Sequence, residues 1–372
     1  MNKHTRIAAA ALAAVATLTG LQAQAQSRQD ELQKTVAAAL SRALPNGPGE
    51  TVNRLMNIRP DGAISRGFNP GRVAQATFGR GSPVPAPDCR QATTAQKEAD
   101  EGDCTLDAGS RDDATGAYTM LSFSKNIGMG NIKFYRRPAF KPGSEDAPRP
   151  LRLSDEEAYK QALAFAELLG IPKSEIPQPP PGAKNPYPVR TLMAGIADEA
   201  GQQGKQFELQ KVVVLPRAFN VPGGLLRDAA SGIQLNHAIA PGQAVIAVND
   251  AGVQFARVDG WFDAQMDPKL DARLVKSASA LVNEITEDLY NEGVRRVGSL
   301  SILIGLRKAY PNPDDPNPPL CPVCGVMRPA LKVIVSQAGP GRVESTEKAF
   351  FAPGLVREYD LVQQTEAERA AR

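Results

Sequence analysis

The chain has 372 residues, 42% hydrophobic and 5% aromatic, with a formal net charge of +3. That length suffices for two domains, while the near-neutral balance supplies no field for nucleic acid or an anionic membrane. A single Trp and few other aromatics leave no stacking platform for sugars or bases.

Residues 1–25 read as an export signal. Lys3 and Arg6 form a positive start, Ile7 to Thr19 is an apolar run, and Ala23-Gln24-Ala25 is a small-polar-small cleavage site. The run is shorter than the roughly 20 residues that a membrane-spanning helix requires. Cleavage is expected after Ala25, releasing a mature chain from Gln26 into the periplasm or the medium. No Cys follows the run closely, and no twin arginine precedes it. Taking Lys3 and Arg6 from the 43 basic residues leaves 41 against 40 acidic ones. The pairs Arg136-Arg137, Arg295-Arg296 and Arg307-Lys308 therefore read as solvated strand or turn positions.

Along the mature chain, Ser27 to Leu44 is expected to be a helix capped by Ser27, with Leu32, Val36, Leu40 and Leu44 on one face. PNGPG at 45–49 stops it. Residues 50–116 read as irregular, apart from a strand near Leu55 to Ile64. Tyr118–Ser124 and Ile132–Arg136 form a hairpin around IGMGN. In LSDEEAYKQALAFAELLG, Ser154 and Glu157 make a capping box, and Ala158, Ala162, Phe165, Ala166 and Leu169 share a face. Gly170 ends this helix. Strands at Val189–Ile196 and Phe207–Leu215 follow a proline-rich link at 171–188. The second half repeats the order. Ala244–Val248 and Val253–Val258 form a hairpin around NDAG. Leu274, Ala278, Leu281, Ile285 and Leu289 define a helix face ended by Gly293. Leu300–Leu306 and Ala330–Val335 are strands.

The expected class is α+β: two hairpin-helix-strand-strand modules, read as a tandem repeat, after an N-terminal helix and a disulfide-stapled loop. The corresponding divisions are a signal peptide at 1–25, an N-terminal helix with an irregular stapled region at 26–116, modules at 117–216 and 217–355, and a polar tail at 356–372.

Four cysteines allow three connectivities. Cys89 and Cys104 sit in a polar stretch with few apolar residues to hold it. In an oxidising compartment a disulfide between them is the expected staple. Cys321 and Cys324 form a C-x-x-C inside a proline-rich loop, PNPDDPNPPLCPVCGVMRP. A local disulfide is the expected state. A redox pair, a metal site and free thiols remain as alternatives, although a redox pair would want a helix N-terminus and zinc would want two further ligands.

AVIAVNDAGVQFARVDGWF, carried by Val245, Val248, Asp250, Gly252, Val253, Val258, Gly260 and Trp261 and followed by a capped helix, resembles the PepSY-like domains of exported bacterial proteins. The resemblance covers about 50 residues around 244–291. It implies a small α+β module that binds or restrains another envelope protein, and it carries over no catalytic residue.

Chemistry-bearing patterns are sparse. His237 is the one histidine of the mature chain, so any Ser-His or Cys-His nucleophile pair would have to use it. Its alternating context, IQLNHAIAPG, fits a packed or surface imidazole. Ser122 and Lys125 match S-x-x-K by letters but fall in a strand, facing opposite sides. Gly128-Met-Gly130 lacks the rest of a dinucleotide fingerprint. Asp100, Glu101, Asp103, Asp107, Asp112 and Asp113 form the densest acid cluster without calcium-loop spacing, and Asp314-Asp315 reads as solvated. The expectation is a non-catalytic binding, scaffolding or regulatory protein without cofactor or metal, whose partner is another envelope or secreted protein. A thiol-redox or metal-binding role for Cys321 and Cys324 is the first alternative. A hydrolase using two carboxylates distant in sequence is the second.

Overall fold

The computed structural model describes residues 26–60, 63–78, 86–89, 103–107, 118–137, 151–177, 189–197, 203–221, 224, 226–227, 234–268, 270–294, 297–309, 325–337 and 355–363. In chain order the elements are α1 (26–43), α2 (Gly47–Met56), α3 (Ile64–Gly67), α4 (Pro70–Thr77), β1 (Asp88–Cys89), β2 (Asp103–Asp107), β3 (Tyr118–Ser124) and β4 (Ile132–Arg137). Then come α5 (Asp155–Leu168), β5 (Val189–Ala197), β6 (Gln203–Asn220), β7 (Leu226–Arg227), β8 (Gln234–Leu235), β9 (His237–Asn249), β10 (Gly252–Asp259) and β11 (Ala264–Met266). Last are α6 (Ala278–Asn291), β12 (Val297–Ala309), β13 (Gly325–Gln337) and β14 (Leu355–Asp360). The fold is α+β, as expected. The order hairpin, helix, strand, strand occurs twice, as β3–β4–α5–β5–β6 and as β9–β10–α6–β12–β13, with the short β11 before α6. The signal segment, Cys321 and Cys324 lie outside the described residues.

The chain divides into two compact units: Met1–Met56 with Lys269–Gly305 and Pro329–Ala370, and Asn57–Pro268 with Leu306–Arg328 and the last two residues. In the first unit α1 buries Leu32, Val36 and Leu40, and Leu44 is buried directly after it, the face expected from their four-residue spacing. In the same unit α6 is capped by Ser277, which accepts from the Ala280 amide at 3.2 Å, and it buries Leu281, Ile285 and Leu289. Leu274 belongs to a separate 3-10 turn before that helix. Ala330–Val335 of β13 pairs antiparallel with β14.

The second unit is built on an antiparallel sheet with strand order β1-β2-β3-β4-β10-β9-β6-β5. β11 adds a short parallel pairing with the first residues of β13, which makes the sheet mixed. The hairpins β3–β4 and β9–β10 join through β4 and β10, with Ile132 opposite Val258. One face of this sheet carries Leu106, Leu121, Phe123, Ile132, Phe134, Val213, Leu215, Ala244, Ile246, Val248, Ala256 and Val258. These pack with Ile64, Val73 and Ala74 of α3 and α4, and with Ala158, Ala162, Phe165 and Ala166 of α5. The Ser154 cap accepts from the Glu157 amide at 3.2 Å, and Gly170 closes the helix at φ +84°.

Three expectations are overturned. Residues 50–116 contain helices, and among the described residues no strand lies near Leu55–Ile64: Leu55 lies in α2, and Ile64 opens α3. PNGPG does end α1, but its second proline also starts the next helix, and Pro70 starts another. Pro48 follows Gly47 at the beginning of α2, and Pro70 sits in the first turn of α4, where Asn69 accepts from the Arg72 amide at 2.9 Å. Ser27, expected as a cap, lies inside α1.

Candidate functional site

In the second unit the helices pack on one sheet face, and strand alternation sends the remaining side chains to the other. Cross-strand register builds a row there. Met120 lies opposite Tyr135, Tyr135 opposite Phe255, Phe255 opposite Ala247, Ala247 opposite Val212, and Val212 opposite Arg190. A second row runs from Ser122 through Lys133, Arg257 and Val245 to Val214. The Tyr118 and Tyr135 rings stack at 5.1 Å. Tyr135 is 37% exposed and Leu192, next to Arg190 on the same face, is 43% exposed. Val212, Val214, Val245 and Phe255 are half-buried. Lys133, Arg190 and Arg257 rise from this band as exposed cations. Arg257 pairs with Asp259 at 2.7 Å. Lys133 and Arg190 make no ion pair among the described residues.

A buried polar node anchors the end of β10. Arg217 of β6 is fully buried, and its Nε donates to Oε2 of Glu175 at 2.7 Å while Nη1 donates to the Phe262 carbonyl at 2.8 Å. Trp261 Nε1 donates to the same Glu175 oxygen at 2.8 Å. The guanidinium lies over the rings of Phe219, Phe262 and Trp261, at 5.1, 5.4 and 5.8 Å from their centroids. Burial pushes the guanidinium below its ordinary basicity, against the opposing pull of Glu175 and Asp263. Lys308 lies over the Phe262 ring, 4.6 Å from its centroid, and burial lowers its basicity too. The adjoining backbone is held by Trp261 N–H donating to the Gly130 carbonyl at 3.1 Å, and by Asp263 N–H donating to the Gly128 carbonyl at 2.8 Å. Ser65 Oγ donates to the Asp263 carboxylate. Arg217 Nε and Nη1 and Trp261 Nε1 donate within the protein, while Arg217 Nη2 and Glu175 Oε1 are buried without a hydrogen-bond partner among the described residues; the node positions the sheet and its following turn.

Cys89 and Cys104 are joined by a disulfide, and they are register partners across the β1–β2 pair. The staple therefore clamps two strands at the edge of the sheet. His237 opens β9 opposite Asn220, and desolvation lowers its pKa below the ordinary imidazole value of 6.5. Ser122 lies on the outer face of β3, and Lys125 falls in the turn beyond that strand. Asp103 and Asp107 sit on β2, while the other acids of that cluster and Asp314-Asp315 lie outside the described residues. Among the described residues, no group of three His, Cys, Asp or Glu side chains is placed to hold a metal, and no helix is long and apolar enough to cross a membrane. Two basic pairs read as solvated are partly engaged: Arg136 donates to the Thr77 carbonyl, and Lys308 lies on Phe262.

Compared with protein-family models, curated proteins and solved structures, the chain matches none of them. The outer face was missed in the sequence, where one signal could have found it. KVVVLP in β6 and QAVIAV in β9 are continuous apolar runs, a pattern of strands covered on both faces. Glu175 and Arg217 left no comparable signal, because their meeting depends on tertiary folding.

Proposed function

We propose that this chain is an exported, non-catalytic binding or scaffolding protein of the bacterial envelope that docks a protein partner on the outer face of its second unit. The observation that carries the reading is the apolar band Met120–Tyr135–Phe255–Val212 on a sheet face opposite the unit's helices. Apolar bands of this kind, rimmed by polar groups, mark interaction sites. The export signal at 1–25 and the Cys89–Cys104 bridge support an oxidising compartment. In this reading the twice-occurring element order reflects a tandem repeat of PepSY-like modules, checked by superposing 117–216 on 244–336.

A photo-crosslinking residue at position 135 tests the proposal in the producing cell. It should yield one defined protein adduct, whereas the same residue at the exposed Glu156 of α5 should yield none. Rescue of a deletion strain should fail for Tyr135→Glu and succeed for Cys321→Ser with Cys324→Ser. The opposite pattern of rescue would transfer the function to the cysteine loop and end the docking reading. Mass spectrometry of the purified protein should place the mature N-terminus at Gln26.

A further inference from the structure

We infer that the outer face receives an amphipathic helix of a partner protein, apolar along one side and acidic along its flanks. This rests on the docking reading and specifies what docks. The band crosses six strands, from Met120 on β3 to Arg190 on β5. At about 4.8 Å per strand spacing it spans roughly 24 Å, the length of a helix of about 16 residues. A helix there would complete a helix-sheet-helix sandwich, the arrangement in which continuous apolar strands are covered on both faces.

Charge selects the flanks. Lys133, Arg190 and Arg257 stand exposed beside the band, and among the described residues only Arg257 of the three is compensated, by Asp259. Acidic residues bordering the apolar stripe of an incoming helix would meet these cations. A second copy docking through the same patch would be isologous and would bring this cationic set against itself. Addition of a strand at β5 is less suited to the geometry. β6 bulges opposite Leu192/Met193 and again opposite Gly195/Ala197, which bends the hairpin carrying that edge.

The test uses the full mature chain and two fluorescein-labelled peptides of about 16 residues, both with a leucine stripe at helical spacing. One has Glu on its flanks and the other Lys. Anisotropy should show saturable binding of the Glu peptide, with the Lys peptide weaker by roughly tenfold or more. Lys133→Glu combined with Arg190→Glu should invert the preference. Both side chains are exposed, and unchanged emission from Trp261 verifies that the fold is intact. Equal binding of both peptides, or no response to the charge reversal, overturns the inference. So does flotation with phosphatidylglycerol vesicles in the absence of peptide binding, or dimerisation in sedimentation that occludes the face. If the peptides fail while crosslinking from position 135 still captures a defined partner, docking stands and the acidic-helix class falls. If both fail, docking falls as well.

Discussion

Replacing Glu175 with Gln isolates the charge in the buried node. Gln keeps a carbonyl oxygen for Trp261 Nε1 and Arg217 Nε, so the main loss is the negative charge facing Arg217. The two side chains are 1% and 0% exposed, 2.7 Å apart, and Arg217 cannot shed its proton near neutral pH. Leaving a buried charge without its partner costs about 3–5 kcal/mol. With a urea slope of about 2 kcal/mol per molar, the unfolding midpoint should fall by roughly 1.5–2.5 M. The chain's single Trp is Trp261, which is fully buried beside the pair, so its emission in a urea titration reports on this unit. Adding Arg217→Met to Glu175→Gln removes both charges and should restore much of the lost stability, because the penalty arises from the orphaned ion. A shift below roughly 0.5 M for Glu175→Gln, or a double variant whose loss equals the sum of the two singles, would refute this account.

Gly130→Ala should destabilise the same unit by more than about 2 kcal/mol. Gly130 has φ +70°, and a Cβ there would lie 2.0 Å from the Trp261 carbonyl carbon; a thermal melt followed by Trp emission checks this. Cys89→Ser with Cys104→Ser should cost roughly 3 kcal/mol, since a 15-residue separation is released in the unfolded chain; denaturant titration with and without reductant measures it. His237 has a folded pKa below 6.5 because burial disfavours its charged form. The unfolded chain therefore takes up the proton first, so stability is retained above pH 6.5 and declines as pH falls below it. His237→Gln should flatten that decline in melting temperatures taken from pH 7.5 to 5, and an unchanged slope would assign it to other groups.

Where the fold rests on local chemistry, it is legible in the sequence. The Ser154–Glu157 cap, the Tyr118–Ser124 strand and the α1 stripe were readable from spacing and capping, and each is present. The region after PNGPG was misread because proline is ambiguous locally: it breaks a helix interior yet suits a helix start. Strand ends were underestimated for a different reason. β9 begins at His237, seven residues before the expected Ala244, and it does so by pairing with Asn220, Phe219 and Ala218 at the end of β6. The candidate site divides likewise. The apolar runs of β6 and β9 carried a signal that was missed, and only register shows which residues of six strands form one row. The Cys89–Cys104 pairing was readable from composition and compartment, while its position across a strand pair was not.

The junction of β4 with β10 also bears on when the unit can form. Its central contacts join Ile132–Tyr135 to Phe255–Val258, closing a loop of about 120 residues whose entropy must be lost before the contact stabilises anything. Such non-local topology folds slowly. During synthesis the first hairpin has no central partner until β10 is complete, so the amino-terminal half alone lacks the pairing that seals this sheet. On the export reading proposed above, that delay would keep the chain open until it has been translocated. The Cys89–Cys104 bridge ties the edge strands β1 and β2 to one another independently of that late junction.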